Sequence, residues 1–257
     1  AVAPATNILS RSICLRGLSR LLLVYILSSY FYSLASTVPK IIKMEKFKLY
    51  PNLNKTVCSK LVDSYHHITT EKCPSTSSIG DSRIFGYERF IDKQISTYLF
   101  DLDSNYIFSS IDKRPKYQTL MFNHTYYDDF AKGSGEGWHR DSSFMKQFKT
   151  IFYLVSVDLN NGPFKCFINN NIIFDFIFKY KRRFSDDFIK NYKFLISDPK
   201  TFISDTPGCG FSINTNLVHR GSPVISGERY AITVYSYLTD PDAAIYKLST
   251  ADLKIKS

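Results

Sequence analysis

The chain has 257 residues, 44% of them hydrophobic and 16% aromatic, enough for one substantial domain with a buried core and too apolar for a disordered chain. Five cysteines (Cys14, Cys58, Cys73, Cys166, Cys209), odd in number and without a CxxC pair, argue against a disulfide framework or a zinc site and for a reducing, cytoplasmic compartment. The net charge of +10 is concentrated at one end: residues 1–50 hold seven bases and one acid (+6), leaving +4 for the rest, so no nucleic-acid partner is expected.

Two units are predicted, an N-terminal segment over residues 1–45 and a catalytic domain over 46–257. From Leu21 to Pro39 there is no charge, and Arg11, Arg16 and Arg20 precede that stretch. Its interspersed serines make it marginal as a spanning helix. Three readings stay open: membrane association through residues 21–39, a packed N-terminal helix, and a signal or non-native extension.

Lys55–Ile68 reads as a helix, with Thr56 as N-cap and Val57, Leu61, Tyr65 and Ile68 as its apolar stripe. His66 and His67 point in different directions and are taken as exposed helix residues. Glu71–Ser82 reads as a turn-rich loop, Phe90–Phe100 as a helix and Tyr117–Tyr127 as a strand. On that strand Asn123 and Thr125 share one face, His124 and Tyr126 the other. The glycines of Ala131–Gly137 let the backbone approach a site closely.

Thr150–Phe164 is predicted to be the next strand. The basic run Lys179–Phe184 is either a solvated loop or a landing site for an anionic handle on a substrate. Ser185–Ile196 starts with a capping serine and two acids, Asp186 and Asp187, as a helix should. Phe211–Val218 reads as a strand delivering His219. Arg229–Leu238 follows as another, with Arg229, Ala231 and Thr233 on one face and Ile232, Val234 and Leu238 on the other.

His139 and Asp141 lie in GWHRDS, and His-x-Asp on an extended segment puts both side chains on one face while Arg140 points away. His219 must be brought in by the fold. Two imidazoles and one carboxylate are the ligands of a facial iron(II) site that leaves three metal positions open. Arg229, ten residues after His219, can hold a carboxylate through two parallel hydrogen bonds. His-x-Asp alone arises by chance in many chains; the later histidine, the arginine at that offset and the strand context distinguish this one. Trp138 is expected to pack beneath the site, and Cys209 to be a small buried residue.

These motifs, GWHRDS, Thr150–Phe164 and HRGSP…GERYAIT, resemble the phytanoyl-CoA dioxygenase-like iron(II)/2-oxoglutarate oxygenases over roughly Lys46–Leu238. The resemblance implies a mainly β fold with flanking helices, a double-stranded β-helix (jelly roll, cupin-like) core. It implies Fe(II) on His139, Asp141 and His219, 2-oxoglutarate held by Arg229, and O2 as oxidant. Asn123 and Ser222 are the further candidates for co-substrate binding. The implied reaction hydroxylates a small or carrier-linked molecule and releases succinate and CO2. Asp141 favours hydroxylation over halogenation, since related halogenases carry a small residue in its place. After Asn161-Gly162-Pro163 the sequence departs from the family, with FKCFINNNIIFDF where many relatives have a Gly-Ser-His strand end, so the substrate class is not carried over. Two other classes stay open: a catalytically silent jelly-roll scaffold, and a cupin-type metal enzyme that uses no 2-oxoglutarate.

Overall fold

The computed structural model describes residues 47–68, 78–111, 113–141, 147–168 and 172–240. The N-terminal segment, including residues 21–39, lies outside them. Among the described residues no helix is long and apolar enough to cross a membrane.

Eleven strands form two antiparallel sheets: β1 (Phe47–Tyr50), β2 (Asp81–Phe85), β3 (Tyr117–Tyr126), β4 (Trp138–His139), β5 (Gln147–Tyr153), β6 (Phe164–Cys166), β7 (Arg183–Phe184), β8 (Lys200–Phe202), β9 (Gly210–Asn214), β10 (His219–Gly221) and β11 (Glu228–Tyr237). The major sheet has the order β1-β9-β5-β11-β3-β2 and the minor sheet β7-β4-β10-β6-β8. This is the expected jelly roll. Among the described residues four α-helices accompany it: α1 (Lys55–Ile68), α2 (Lys93–Ile111), α3 (Ile172–Ile177) and α4 (Asp186–Asn191).

Strand alternation divides the core. On β11, Tyr230, Ile232 and Val234 point outward and pack with Leu120, Phe122 and Phe152 against Cys58, Leu61, Tyr65 and Ile68 of α1. Side chains three and four apart on one helix face make that stripe, and each large aliphatic member contributes about 1.5–3 kcal/mol by leaving water. Between the sheets, Ile151, Tyr153, Phe211, Ile213 and Ala231 of the major sheet meet Phe164, Cys166 and Phe202 of the minor. Outside the minor sheet, Trp138, Phe174, Phe184 and Val218 form a third core under the segment that carries α3 and α4.

Several predicted boundaries move. Asn54, not Thr56, caps α1: its Oδ1 accepts the Thr56 N–H at 2.8 Å. Asp92 does the same for α2, accepting from Gln94 N–H at 2.6 Å, and the helix runs on to Ile111 instead of stopping at Phe100. Its buried stripe (Leu99, Asp103, Tyr106, Ile107) includes a carboxylate, which disguised the helical period. Asp81 and Ser82 open β2 rather than closing a loop.

The predicted strand Thr150–Phe164 starts earlier, at Gln147, and ends at Tyr153; Asp158 Oδ1 then accepts from the N–H groups of Asn160 and Asn161 and turns the chain into β6. The predicted strand Phe211–Val218 breaks after Asn214, whose Oδ1 accepts the Asn216 N–H at 3.1 Å while Leu217 N–H returns to its carbonyl. That turn passes the chain from the major sheet to the minor one, which is how His219 arrives opposite His139.

Candidate metal centre

His139 is the last residue of β4 and His219 the first of β10, and the two are directly paired in the ladder. Asp141 follows β4 by two residues, its N–H anchored to Thr215 O at 3.1 Å. Arg140 turns to the opposite face as predicted. It lies buried between the Phe174 and Phe184 rings and paired with Asp175 at 2.6 Å. One ligand atom from each of His139, Asp141 and His219 lies within 4.8 Å of the others, with His139 Nε2 3.3 Å from Asp141 Oδ1.

Both imidazoles are held in the same tautomer. His139 Nδ1 lies 2.8 Å from Gly137 O, and His219 Nδ1 lies 2.8 Å from Leu217 O. A carbonyl only accepts, so each Nδ1 carries a proton, which leaves each Nε2, turned toward Asp141, as the ring nitrogen available to a metal. Burial, with the neighbouring His139 and Lys149, pushes the His219 pKa well down and keeps that ring neutral. Burial alone would raise the Asp141 carboxyl, but the Lys149 ammonium beside it holds it well below the usual carboxylate range. Neutral imidazoles and an ionised carboxylate are the protonation states a divalent metal needs. The close approach is permitted by Gly135, where a Cβ would fall 2.1 Å from His139 Cε1 and φ is +84°.

The ligands open onto a cavity of about 140 Å³ between the sheets, whose far wall is made by Asn123, Arg229, Ala231, Thr233 and Tyr235. Arg229 is buried. Its Nη2 donates to Thr125 Oγ1 at 2.9 Å and Asn123 Oδ1 at 3.3 Å, Nη1 donates to Gly162 O, and Nε has no partner in the chain. Burial lowers its pKa, and among the described residues no carboxylate is paired with it. The residues therefore suit a metal on the triad and an organic anion beside Arg229.

Asn123 faces the cavity as predicted, but its amide is already used: Nδ2 donates to Asp81 Oδ1 and to Ser82 O, and Oδ1 accepts from Arg229 and Thr125. Ser222 is buried with an unpartnered hydroxyl and is not part of the cavity wall. His124 points to the outer face, stacked on Tyr230 at 4.4 Å. Trp138 packs on Phe167 at 4.6 Å beneath the site and donates Nε1–H to Asp186, so Asp186 has a tertiary partner besides its place in the first turn of α4. Cys209 is half-buried, and Cys58 and Cys209 are free thiols.

Sequence reasoning missed the other charged groups on the wall. Lys149 Nζ reaches Asp141 Oδ2 at 2.5 Å and His219 Nε2 at 3.4 Å. Arg83 is paired with buried Asp81 and donates to Ser134 Oγ at 3.0 Å. Arg183 belongs to the basic run read as either a solvated loop or a landing site for an anionic handle; it sits on β7 directly opposite His139 and lines the cavity. For Lys149 a local signal existed, a lone charge sharing a strand face with Ile151 and Tyr153. Arg83 and Arg183 depend on pairing between distant segments.

No protein-family model and no curated protein sequence matches the chain. Solved structures do. The carbocyclase SnoK of nogalamycin biosynthesis, a non-heme alpha-ketoglutarate-dependent enzyme, matches with TM-score 0.57 at 13% identity, covering 87% of this chain and 96% of SnoK. The epimerase SnoN, described in the same terms, matches with TM-score 0.56 at 11% identity, covering 84% and 88%. HygX from Streptomyces hygroscopicus, crystallised with nickel and 2-oxoglutarate, gives 0.52 at 11%, covering 77% and 85%. At such identities the likeness establishes the shared jelly-roll fold.

Proposed function

We propose that this chain is an iron(II)- and 2-oxoglutarate-dependent oxygenase acting on a small or carrier-linked molecule. The observation that carries the reading is the pair of Nε2-presenting histidines with Asp141 in the same cavity as a buried arginine that has no carboxylate partner among the described residues. His139, Asp141 and His219 would hold the metal, and Arg229 would take the distal carboxylate of 2-oxoglutarate. When bound, iron and 2-oxoglutarate together supply an oxidant from O2, with release of succinate and CO2.

The protein's own groups do the rest. Asn123 and Thr125 aim the Arg229 guanidinium, so Asn123 positions the co-substrate's partner instead of touching the co-substrate. Ser222, the other candidate, stands outside the cavity wall and is given no contact with the co-substrate. The Gly137 and Leu217 carbonyls orient both imidazoles, and burial keeps His219 neutral. A silent scaffold would be expected to show a misaligned triad or an apolar plug over Arg229; here the ligand atoms converge and Arg229 lines the cavity. Residues 46–257 are taken as the catalytic domain and 1–45 as a separate segment.

The names of SnoN and SnoK attach epimerisation and ring formation to this architecture, so the test reads the co-substrate and not one product. Purified protein with Fe(II), 2-oxoglutarate and O2 should release succinate, and Asp141→Ala should abolish it. Equal turnover in the variant would refute the assignment. Iron binding with no response to 2-oxoglutarate would point to a cupin-type enzyme.

A further inference from the structure

We infer that Lys149 competes with the metal for Asp141 and His219, and so sets how readily the centre loads. The inference rests on the metal-centre reading above. Lys149 lies on β5 of the major sheet, across the cavity from β4 and β10, with only 8% of its surface exposed. Its ammonium touches two of the three ligands at once, Asp141 Oδ2 at 2.5 Å and His219 Nε2 at 3.4 Å.

The second contact decides what the lysine does. A residue that merely orients a ligating carboxylate holds the oxygen the metal does not use. Lys149 also caps the Nε2 lone pair of His219. With Nδ1 committed to Leu217 O, that lone pair is the ring's remaining acceptor, and the ammonium is necessarily the donor. A metal bound through Nε2 needs the same lone pair, and an ammonium and a divalent ion sheltered from water a few ångströms apart repel strongly. Loading therefore requires Lys149 to withdraw. Tyr235, whose ring centroid lies 5.1 Å from Nζ, is the adjacent surface that receives a displaced cation.

The sign of one substitution separates the two roles. Ni(II) is titrated into the full-length wild type, Lys149→Met, Lys149→Gln and Asp141→Ala, without 2-oxoglutarate, and followed by calorimetry. Loss of a charged hydrogen-bonded competitor should tighten Ni(II) binding about ten- to hundredfold in the lysine variants. Asp141→Ala should bind weakly and so locate the site. Weaker binding in the lysine variants, about ten- to hundredfold as for a lost orienting group, or unchanged binding, would overturn the inference while leaving the metal centre intact. Binding by the lysine variants where the wild type stays silent supports it in its strongest form. No binding by any variant overturns it together with the metal centre. Circular dichroism checks folding, and the glutamine variant, which keeps a polar side chain, serves if the methionine variant does not fold.

Discussion

His139 and His219 face each other across a single rung of the β4–β10 ladder, their ring centroids 4.4 Å apart and inclined at 56°. That rung exists because the turn after Asn214 moves the chain between sheets. A one-residue slip in the pairing would send the His219 imidazole to the outer face, where Val218 now packs with Trp138 and Phe174. The metal site is thus a product of register as much as of residue type.

Arg229 is the group whose loss should separate metal binding from co-substrate binding. Arg229→Ala removes a buried guanidinium with which no carboxylate is paired among the described residues. Its truncation should cost roughly 2–5 kcal/mol in 2-oxoglutarate affinity. The 2-oxoglutarate concentration needed for half-maximal succinate release should rise accordingly, with Ni(II) affinity changed little. Arg229→Lys should recover only part of this, since an ammonium lacks the planar fork. A parallel collapse of Ni(II) binding would show that Arg229 supports the triad instead.

Gly135 offers a steric test that leaves every ligand in place. An alanine there would put its Cβ 2.1 Å from His139 Cε1 and would hold an unfavourable φ of +84°. Gly135→Ala should weaken Ni(II) binding and lower the melting temperature. At Gly137, with φ +98° but nothing within 4 Å of an added methyl, alanine brings backbone strain alone and should cost less. Equal effects at both positions would rule out the contact with the imidazole as the cause.

Asp103 on α2 predicts a pH effect far from the cavity. Burial raises its pKa to about 6, against an ordinary 3.8, although Ser236 and Thr150 donate hydroxyls to it. A carboxyl that holds its proton more tightly when folded stabilises the fold most below about pH 4. That contribution is lost as pH rises through about 6, and a shift of this size corresponds to about 3 kcal/mol. Urea unfolding of wild type minus Asp103→Asn, between pH 4 and 7, should show the difference declining over that window. Asp141 titrates in the opposite sense, so the paired difference is the quantity to read. A flat difference would mean that Asp103 is ionised throughout.

Much of this was legible from the chain alone, because local patterns carry it. The His-x-Asp spacing, the alternation on β11 and the apolar stripe of α1 each need only a few neighbouring residues, and the structure reproduces all three. The Ser185 cap is local as well, accepting the Phe188 N–H at 3.1 Å. What stayed hidden is set by pairing at a distance. Asp81 and Arg83 reach the site only because β2 pairs with β3, and Arg183 only because β7 pairs with β4. Asn123 was correctly placed on the cavity face, but that its amide would be consumed by Asp81 and Arg229 was beyond any reading of period. The break at Asn214 was missed because Phe211–Val218 is strand-like in composition, and a single asparagine side chain turning back on Asn216 divides it.

Each imidazole takes its proton-fixing partner from the carbonyl two residues before it, Gly137 for His139 and Leu217 for His219. The same short loop of chain is used twice, and in both cases the acceptor is a peptide oxygen. Every amino acid brings that oxygen with it, so replacing the Leu217 side chain leaves the acceptor in the chain. The orientation of the metal-facing nitrogens is in this respect insulated from mutation. What must be kept is the path of the backbone, which at Gly135 and Gly137 still depends on glycine.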